Sequence, residues 1–555
     1  MPTKPEANLN LLAALRIRLT GVFAALRKWR EDPRLMLRRS WGKEVIRDRY
    51  PFQIARYHEH TAIGRTTVDE ATWQDLGMDE VFAKIDRTSS FPGRQILYHQ
   101  MRTYESDGAL LVERTRQYGV FRSDPELRED AQLHLSGLND PDAAWLSSLL
   151  LNNFPERPKW AWLLHLSGAA PLACFLGMAM WPILLIPGVV LALVNLAILE
   201  TYGRKITPYF GGFSQISRLL CVADGLSSLH DSHALPPMKD LRETAPARPQ
   251  LRKRLGWLVM DRENMNDFAQ AVIGYINLAL LLDIQVYLGS LTLLRRHQAA
   301  LVKMLEAVGT LDAAISVASF MDGLPVVAVP SLVEGRRIEA EGLYHPLLAA
   351  PVGNPIRSDG RSILITGSNM AGKTTFLRTV GINVILAQTL HLCLAEKAAM
   401  PRAIVRSSIR REDQLARGES YYAVEVSRIL DMIHDANGGH LHLFLLDEIF
   451  RGTNTLERLS AATAVLHHLG QAHLAMVTTH DLELQDLLTA DYDMHHFSEQ
   501  ILEGGYSFSY LIQPGPTKGR NAIRLLELSG YPEDITRKAR QMADQLTSQT
   551  ATNFT

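Results

Sequence analysis

Cysteine is scarce: Cys174, Cys221 and Cys393 are the only three in 555 residues, far apart and without CxxC spacing. That excludes a disulfide framework and a cysteine zinc site, and it fits a reducing compartment. An excess of either charge is missing too. Lys and Arg number 58 against 59 Asp and Glu, a formal net charge of -1, so no global field points to a polyanionic partner, although a local basic face remains compatible. The first residues lack a basic stretch leading into a compact apolar core and a small-residue cleavage site, so no removable signal peptide is expected. No internal repeat or low-complexity tract stands out. With 46% hydrophobic residues, a chain of this length can fill several cores, and two to four domains are expected.

The most telling absence is local. From Trp160 to Leu199 there is no Asp, Glu, Lys or Arg. About 20 apolar residues cross the hydrocarbon of a bilayer, so the run accommodates a transmembrane hairpin. Its spans fall near 160–178 and 182–199, with Gly177, Trp181 and Pro182 at the turn. Trp160, Trp162 and Trp181 suit the interfaces. Arg157 and Lys159 before the run, and Arg204 and Lys205 after it, carry the positive charge of cytoplasmic flanks. The expected location is therefore the cytoplasmic membrane, with the remainder in the cytoplasm; a pair of buried core helices is the alternative. A second apolar stretch, 271–294, contains Asn277, Asp283 and Gln285 and reads as a soluble core helix, because an Asp at mid-span costs about 2.5–3.5 kcal/mol. Residues 9–30 repeat Leu9, Leu12, Leu15, Leu19, Val22, Phe23 and Leu26 among Arg16, Arg18, Arg27, Lys28 and Arg30. This is a basic amphipathic helix, for a membrane surface or for packing on the rest of the protein.

Residues 76–155 and 205–330 read as helical. After about 336, short β-rich runs at 362–366, 441–446 and 474–477 alternate with helical segments, the pattern of an α/β domain with strands buried on both faces. The fold class is α+β overall. The expected domains are a basic N-terminal segment (1–75), a mainly helical core or lever (76–159 and 205–335) interrupted by the hairpin (160–199), an α/β P-loop domain (336–546) and a tail (547–555).

Within the last domain, Gly367-Ser368-Asn369-Met370-Ala371-Gly372-Lys373-Thr374 follows the run Ile363-Leu364-Ile365 and opens a helix with Phe376, Leu377 and Val380. A P-loop requires that context: backbone N–H groups curl round phosphates, Lys373 reaches the β- and γ-phosphates, and the Thr374 hydroxyl ligates Mg²⁺. Thr375 completes the run. Residues 441–446 are apolar and end in Asp447-Glu448, the arrangement in which Asp447 serves the metal while Glu448 orients or deprotonates the attacking water.

Three further segments set the subclass: Arg451-Gly452-Thr453-Asn454-Thr455, Thr478-Thr479-His480, and Gly418 to Glu425 with Ser420 inside it. Together they resemble the MutS family of ATPases, where TGxNMxGKST, a serine-containing signature, DEIxRGTxT and TTH occur in this order. The likeness covers roughly 336–546, including 521–540 as the closing segment. More weakly, Ile85-Asp86-Arg87-Thr88 with Gly93 and Leu97 looks like the start of the MutS helical core, and Leu311-Asp312 and His345-Pro346 like its end. The resemblance implies an ATPase using ATP and Mg²⁺ in a homodimer. It assigns Ser420 of one subunit to the γ-phosphate bound by the other, His480 to sensing it from the same subunit, and Asn354 and Ile356 to the edge of the adenine, although Ile356 reads equally as a packing residue. DNA binding comes with the family. The Phe-x-Glu element by which mismatch-repair members probe DNA is not visible, so mismatch recognition is not implied. Two other classes remain open: an ABC-type membrane ATPase, disfavoured because the LSGGQ signature is missing, and a nucleotide-dependent scaffold, disfavoured by Glu448.

Overall fold

The computed structural model describes residues 32–152, 154, 158–255, 280–367, 371–409, 421–502, 505–517, 526 and 530–553. The expected helix at 9–30 lies outside them. The fold is α+β, and the chain forms two compact units. One takes residues 1–61, 85–99 and 117–323; the other takes 62–84, 100–116 and 324–555.

The first unit is helical. Its described elements include α1 (Leu163–Gly177), α2 (Leu185–Ser228) and α3 (Gln298–Asp322). From Leu301 to Met321, most of α3 is buried, and α2 contributes Ile216, Leu219, Leu220, Ala223 and Leu226 to the same core. Mid-helix, the fully buried Asp312 accepts from the amides of Ser89 (2.9 Å) and Ser90 (2.7 Å) and from the Ser90 hydroxyl (2.5 Å). One turn on, Ser316 accepts from the Arg87 amide and donates to the Ile85 carbonyl, each at 2.7 Å. The segments beginning at Ile85 and ending at Asp312, more than 200 residues apart in sequence, are thus bonded to each other.

Residues 163–201 form two apolar helices joined through Met178–Trp181. Pro182–Thr201, at mean hydropathy 2.5 and 11% buried, is the one described helical stretch long and apolar enough to cross a membrane; Leu166–Gly177 is shorter and carries Pro171. Trp181, Ile183, Ile186 and Leu193 are exposed. The polar exception points inward: Asn195 is fully buried, donates to the Ser167 carbonyl (3.1 Å) and accepts from the Ser167 hydroxyl. The second helix does not stop near 199 but continues unbroken to Ser228. The described part of the stretch at 271–294 enters a helix, Leu282–Arg296, whose Ile284, Tyr287, Leu288 and Leu291 are buried.

The second unit holds all ten strands described. β1 (Ser331–Val333), β2 (Arg337–Leu343), β3 (Asn354–Asp359) and β5 (Lys397–Pro401) form a small mixed sheet in the order β1-β5-β2-β3. The larger sheet contains β4 (Ser362–Thr366), β6 (Ile404–Ser408), β7 (His442–Asp447), β8 (Leu474–Thr478), β9 (Tyr492–Leu502) and β10 (Gly505–Pro514). Its order is β10-β9-β4-β8-β7-β6, parallel throughout except for β10. Every residue of β4 and β8 is buried, as strands covered on both faces require. The flanking helices are α4 (Lys373–Thr389), α5 (Tyr421–Ala436) and α6 (Thr455–Ala472). Leu364, Phe444, Leu446 and Val477 pack with Ile429, Leu466 and Leu469 in one core. The early segments of this unit are tied in by buried polar contacts. Asp75 accepts from the Ser407 hydroxyl and the Ile409 amide, both at 2.9 Å, and pairs with Arg428 at 2.5 Å.

Candidate functional site

Strand register decides which side chains meet. Ile365 pairs with Thr478 and Thr478 with Asp447, so the carboxyl ends of β4, β8 and β7 lie side by side, where parallel sheets place ligand sites. Two backbone hydrogen bonds close the corner: Glu448 N–H to the Thr478 carbonyl (2.9 Å) and Thr479 N–H to the Ile365 carbonyl (3.0 Å).

The chain leaves β4 through Gly367, whose φ is 138° and where a Cβ would stand 2.7 Å from the Phe497 carbonyl oxygen. Only glycine fits that close approach. Ser368, Asn369 and Met370 lie outside the described residues. Ala371 is buried, Gly372 caps the start of α4, and Thr375 is exposed on its first turn. Lys373 is buried, and its Nζ donates to the Gly367 carbonyl at 2.7 Å and lies 3.1 Å from His480 Nε2. The ammonium therefore spans from the strand end to the histidine that follows β8.

Asp447 takes one hydroxyl on each oxygen. Thr374 donates to Oδ2 at 2.9 Å, and Thr478 donates to Oδ1. Hydroxyl and carboxylate oxygens are the hard donors Mg²⁺ takes, so Thr374 and Asp447 fit a magnesium site. Glu448 faces the other way and is ion-paired on both oxygens, Oε1 with His480 Nε2 (2.7 Å) and Oε2 with Arg451 (2.5 Å). Burial opposes its ionisation. The hydrogen bond and charge of His480, with the charges of Arg451 and Lys373, outweigh that and hold the carboxyl below its usual range. Since Nε2 cannot accept from Lys373 while donating to an ionised Glu448, the shorter contact is the hydrogen bond. Glu448 and Phe450 have φ of 57° and 61°, a conformation costing about 1–3 kcal/mol each for such residues. It turns the two neighbouring carboxylates to separate roles.

Arg451 and Thr478, which hold Glu448 and Asp447, belong to the motifs read from sequence, but the motifs alone do not mark them as site residues. Nor does the sequence mark Glu425, whose Oε1 accepts from the Phe450 amide at 2.6 Å and so anchors the strained turn. Asn454 is structural, capping α6 by accepting from the Glu457 amide. Asn354 is occupied by β10, accepting from the Ile512 amide (2.8 Å) and donating to the Tyr510 carbonyl (2.9 Å), while Ile356 is a buried packing residue. Ser420 lies outside the described residues, directly before α5. That helix meets the Arg451-Gly452-Thr453 turn. A Cβ on Gly452 would sit 2.8 Å from Tyr422 Cβ, so Gly452→Ala is expected to cost about 1–3 kcal/mol by overpacking, read as a lower thermal midpoint. Adding Tyr422→Ala, which removes the ring atoms 3.0 and 3.2 Å away but keeps the Cβ, should restore only part of the loss; an unchanged midpoint in the single variant would mean that the turn has room to spare.

The MutS domain V family matches residues 363–547. The stretch holds Lys373, Thr374, Asp447, Glu448 and His480. Among similar proteins is a DNA mismatch repair protein MutS of Thermus thermophilus, 31% identical over 213 residues, which cover 38% of this chain and 26% of that protein. Another, from Salinibacter ruber, is 31% identical over 239 residues, 40% of this chain and 26% of its own. A third, from Aquifex pyrophilus, is 27% identical over 271 residues, 46% and 32% respectively. Residues 363–547 thus form a domain of the MutS family. The chain spans about a quarter to a third of the length of these MutS relatives.

Proposed function

We propose that this chain binds ATP with Mg²⁺ and hydrolyses it at a site that a second copy of the chain completes. The observation that supports this best is the cluster at the end of β4, where Lys373, Thr374, Asp447, Glu448 and His480 converge from three strand ends. Gly367 to Thr375 form the phosphate cradle, with Lys373 on the β- and γ-phosphates. Thr374 and Asp447 hold the metal, which when bound neutralises phosphate charge. Glu448, kept ionised by its partners, orients water or takes its proton, and His480 relays the presence of the terminal phosphate to Glu448 through their shared hydrogen bond.

The partner's share rests on Ser420. Its hydroxyl can donate to a phosphate oxygen, and the family resemblance assigns it to the opposite subunit. Mixing Lys373→Ala with Ser420→Ala subunits tests the arrangement: heterodimers should regain roughly one working site of two, whereas subunits that behave independently in the mixture would remove the composite site.

DNA binding is proposed from the likeness to proteins named for DNA mismatch repair. It should weaken steeply with salt, log K falling by about 0.9 per duplex phosphate neutralised; a flat salt profile would argue against it.

Residues 160–199 are proposed to tether the chain to the cytoplasmic membrane. The support is an uncharged hairpin whose apolar side chains face outward while Asn195 is satisfied inside it. Deletion of 160–199 should move the protein from the membrane fraction to the soluble one; retention of the intact chain in the soluble fraction would refute the tether.

A further inference from the structure

In the first unit, residues 45–54, the turn 87–91 and residues 132–141 line an open pocket of about 520 Å³, within the size range of small-molecule sites. Three guanidinium groups line it, those of Arg47, Arg87 and Arg94, against one acidic lining residue, Asp48. Arg94 is 4% exposed. Among the described residues its guanidinium has no hydrogen-bond partner. Its Nε is unpartnered, its approach to Asp86 Oδ2 is 3.5 Å, and its guanidinium lies over the Phe91 ring, 4.4 Å from the centroid.

The one carboxylate within reach is shared. Asp86 also pairs with Arg49 at 3.0 Å and with Arg47 at 3.7 Å, and it accepts from the Thr88 hydroxyl at 2.7 Å. The neighbouring Asp312 is taken up by Ser89 and Ser90. Arg47 and Arg87 anchor through their terminal nitrogens to the carbonyls of Thr88 and Ser319, leaving each Nε without a partner. Three guanidiniums thus converge on one carboxylate, Arg87 adds a fourth on the pocket wall, and the most deeply buried of them lacks a hydrogen bond. A buried cation that shares its one carboxylate and makes no hydrogen bond is costly. Burial correspondingly pushes the Arg94 guanidinium down to about 10, with Asp86 pulling the other way.

We infer that this pocket is a binding site for a small phosphate-bearing molecule, with Arg94, Arg47 and Arg87 as its anion-binding side chains. A carboxylate would satisfy one guanidinium fork, whereas the tetrahedral oxygens of a phosphate can accept from forks on several sides. The inference is independent of the nucleotide site in the other unit.

Calorimetric titration of full-length Lys373→Ala protein with pyrophosphate and with glycerol 3-phosphate tests it, because that background removes the other phosphate cradle. Saturable binding of at least one probe is expected. It should fall about tenfold or more in Lys373→Ala/Arg94→Gln, the weight of one charge-assisted hydrogen bond, and less in Lys373→Ala/Arg94→Lys. Should the Arg94→Gln chain fail to fold, Arg47→Gln at the pocket wall reads the same loss. Absence of binding in the Lys373→Ala protein, binding left intact by both substitutions, or equal affinity for sulfate would overturn the assignment.

Discussion

Lys373→Ala is expected to abolish magnesium-dependent ATP binding and to reduce turnover at least about 10²–10³-fold, the loss typical of removing one preorganised charge donor from a reacting group. The geometry explains the size. Lys373 is buried, anchored to the Gly367 carbonyl and placed between the β4 end and His480, so its charge is fixed where the terminal phosphates would lie before any nucleotide arrives. The backbone and core of α4 do not depend on that charge, and folding should survive its removal. A thermal midpoint close to that of the parent chain, together with lost turnover, separates chemistry from stability; full turnover would show that the cradle is elsewhere.

Glu448→Gln should act differently. The amide keeps the side chain's shape but cannot take a proton, so hydrolysis should fall about 10²–10⁴-fold while ATP binding persists and an ATP-bound dimer accumulates, visible by light scattering. Unchanged hydrolysis would remove Glu448 from its role. The acid limb of the wild-type rate profile carries the same information. Because His480, Arg451 and Lys373 together hold the Glu448 carboxyl below its usual range, activity limited by its ionisation should persist to a pH lower than an isolated glutamate would allow. His480→Ala removes the strongest of these stabilising partners. The Glu448 pKa then rises and the acid limb should move to higher pH, in addition to any fall in the maximal rate.

Parts of this site are legible in sequence because their chemistry is local. A phosphate cradle needs consecutive backbone amides, so Gly367 to Thr374 reads as a unit, and the buried strands at 362–366, 441–446 and 474–477 appear within a residue of their positions. The contacts that orient the cluster are not local. That Thr478 holds Asp447, or that Glu425 anchors Phe450, follows from strand register and helix placement, which periodicity does not encode. For the same reason, Asp75 reads as one acid in a helical stretch, although its partners Ser407, Ile409 and Arg428 lie more than 330 residues away. The return of charge places the end of the second hairpin helix near 199, yet the helix runs to Ser228. Charged residues at 200–205 end an apolar run without ending a hydrogen-bonded ladder.

The most direct test is equilibrium binding of ATP to the purified protein, with magnesium and with chelator. The structure predicts saturable, magnesium-dependent affinity that Lys373→Ala removes and Glu448→Gln retains. Protein that shows no affinity for ATP in either condition would contradict the account.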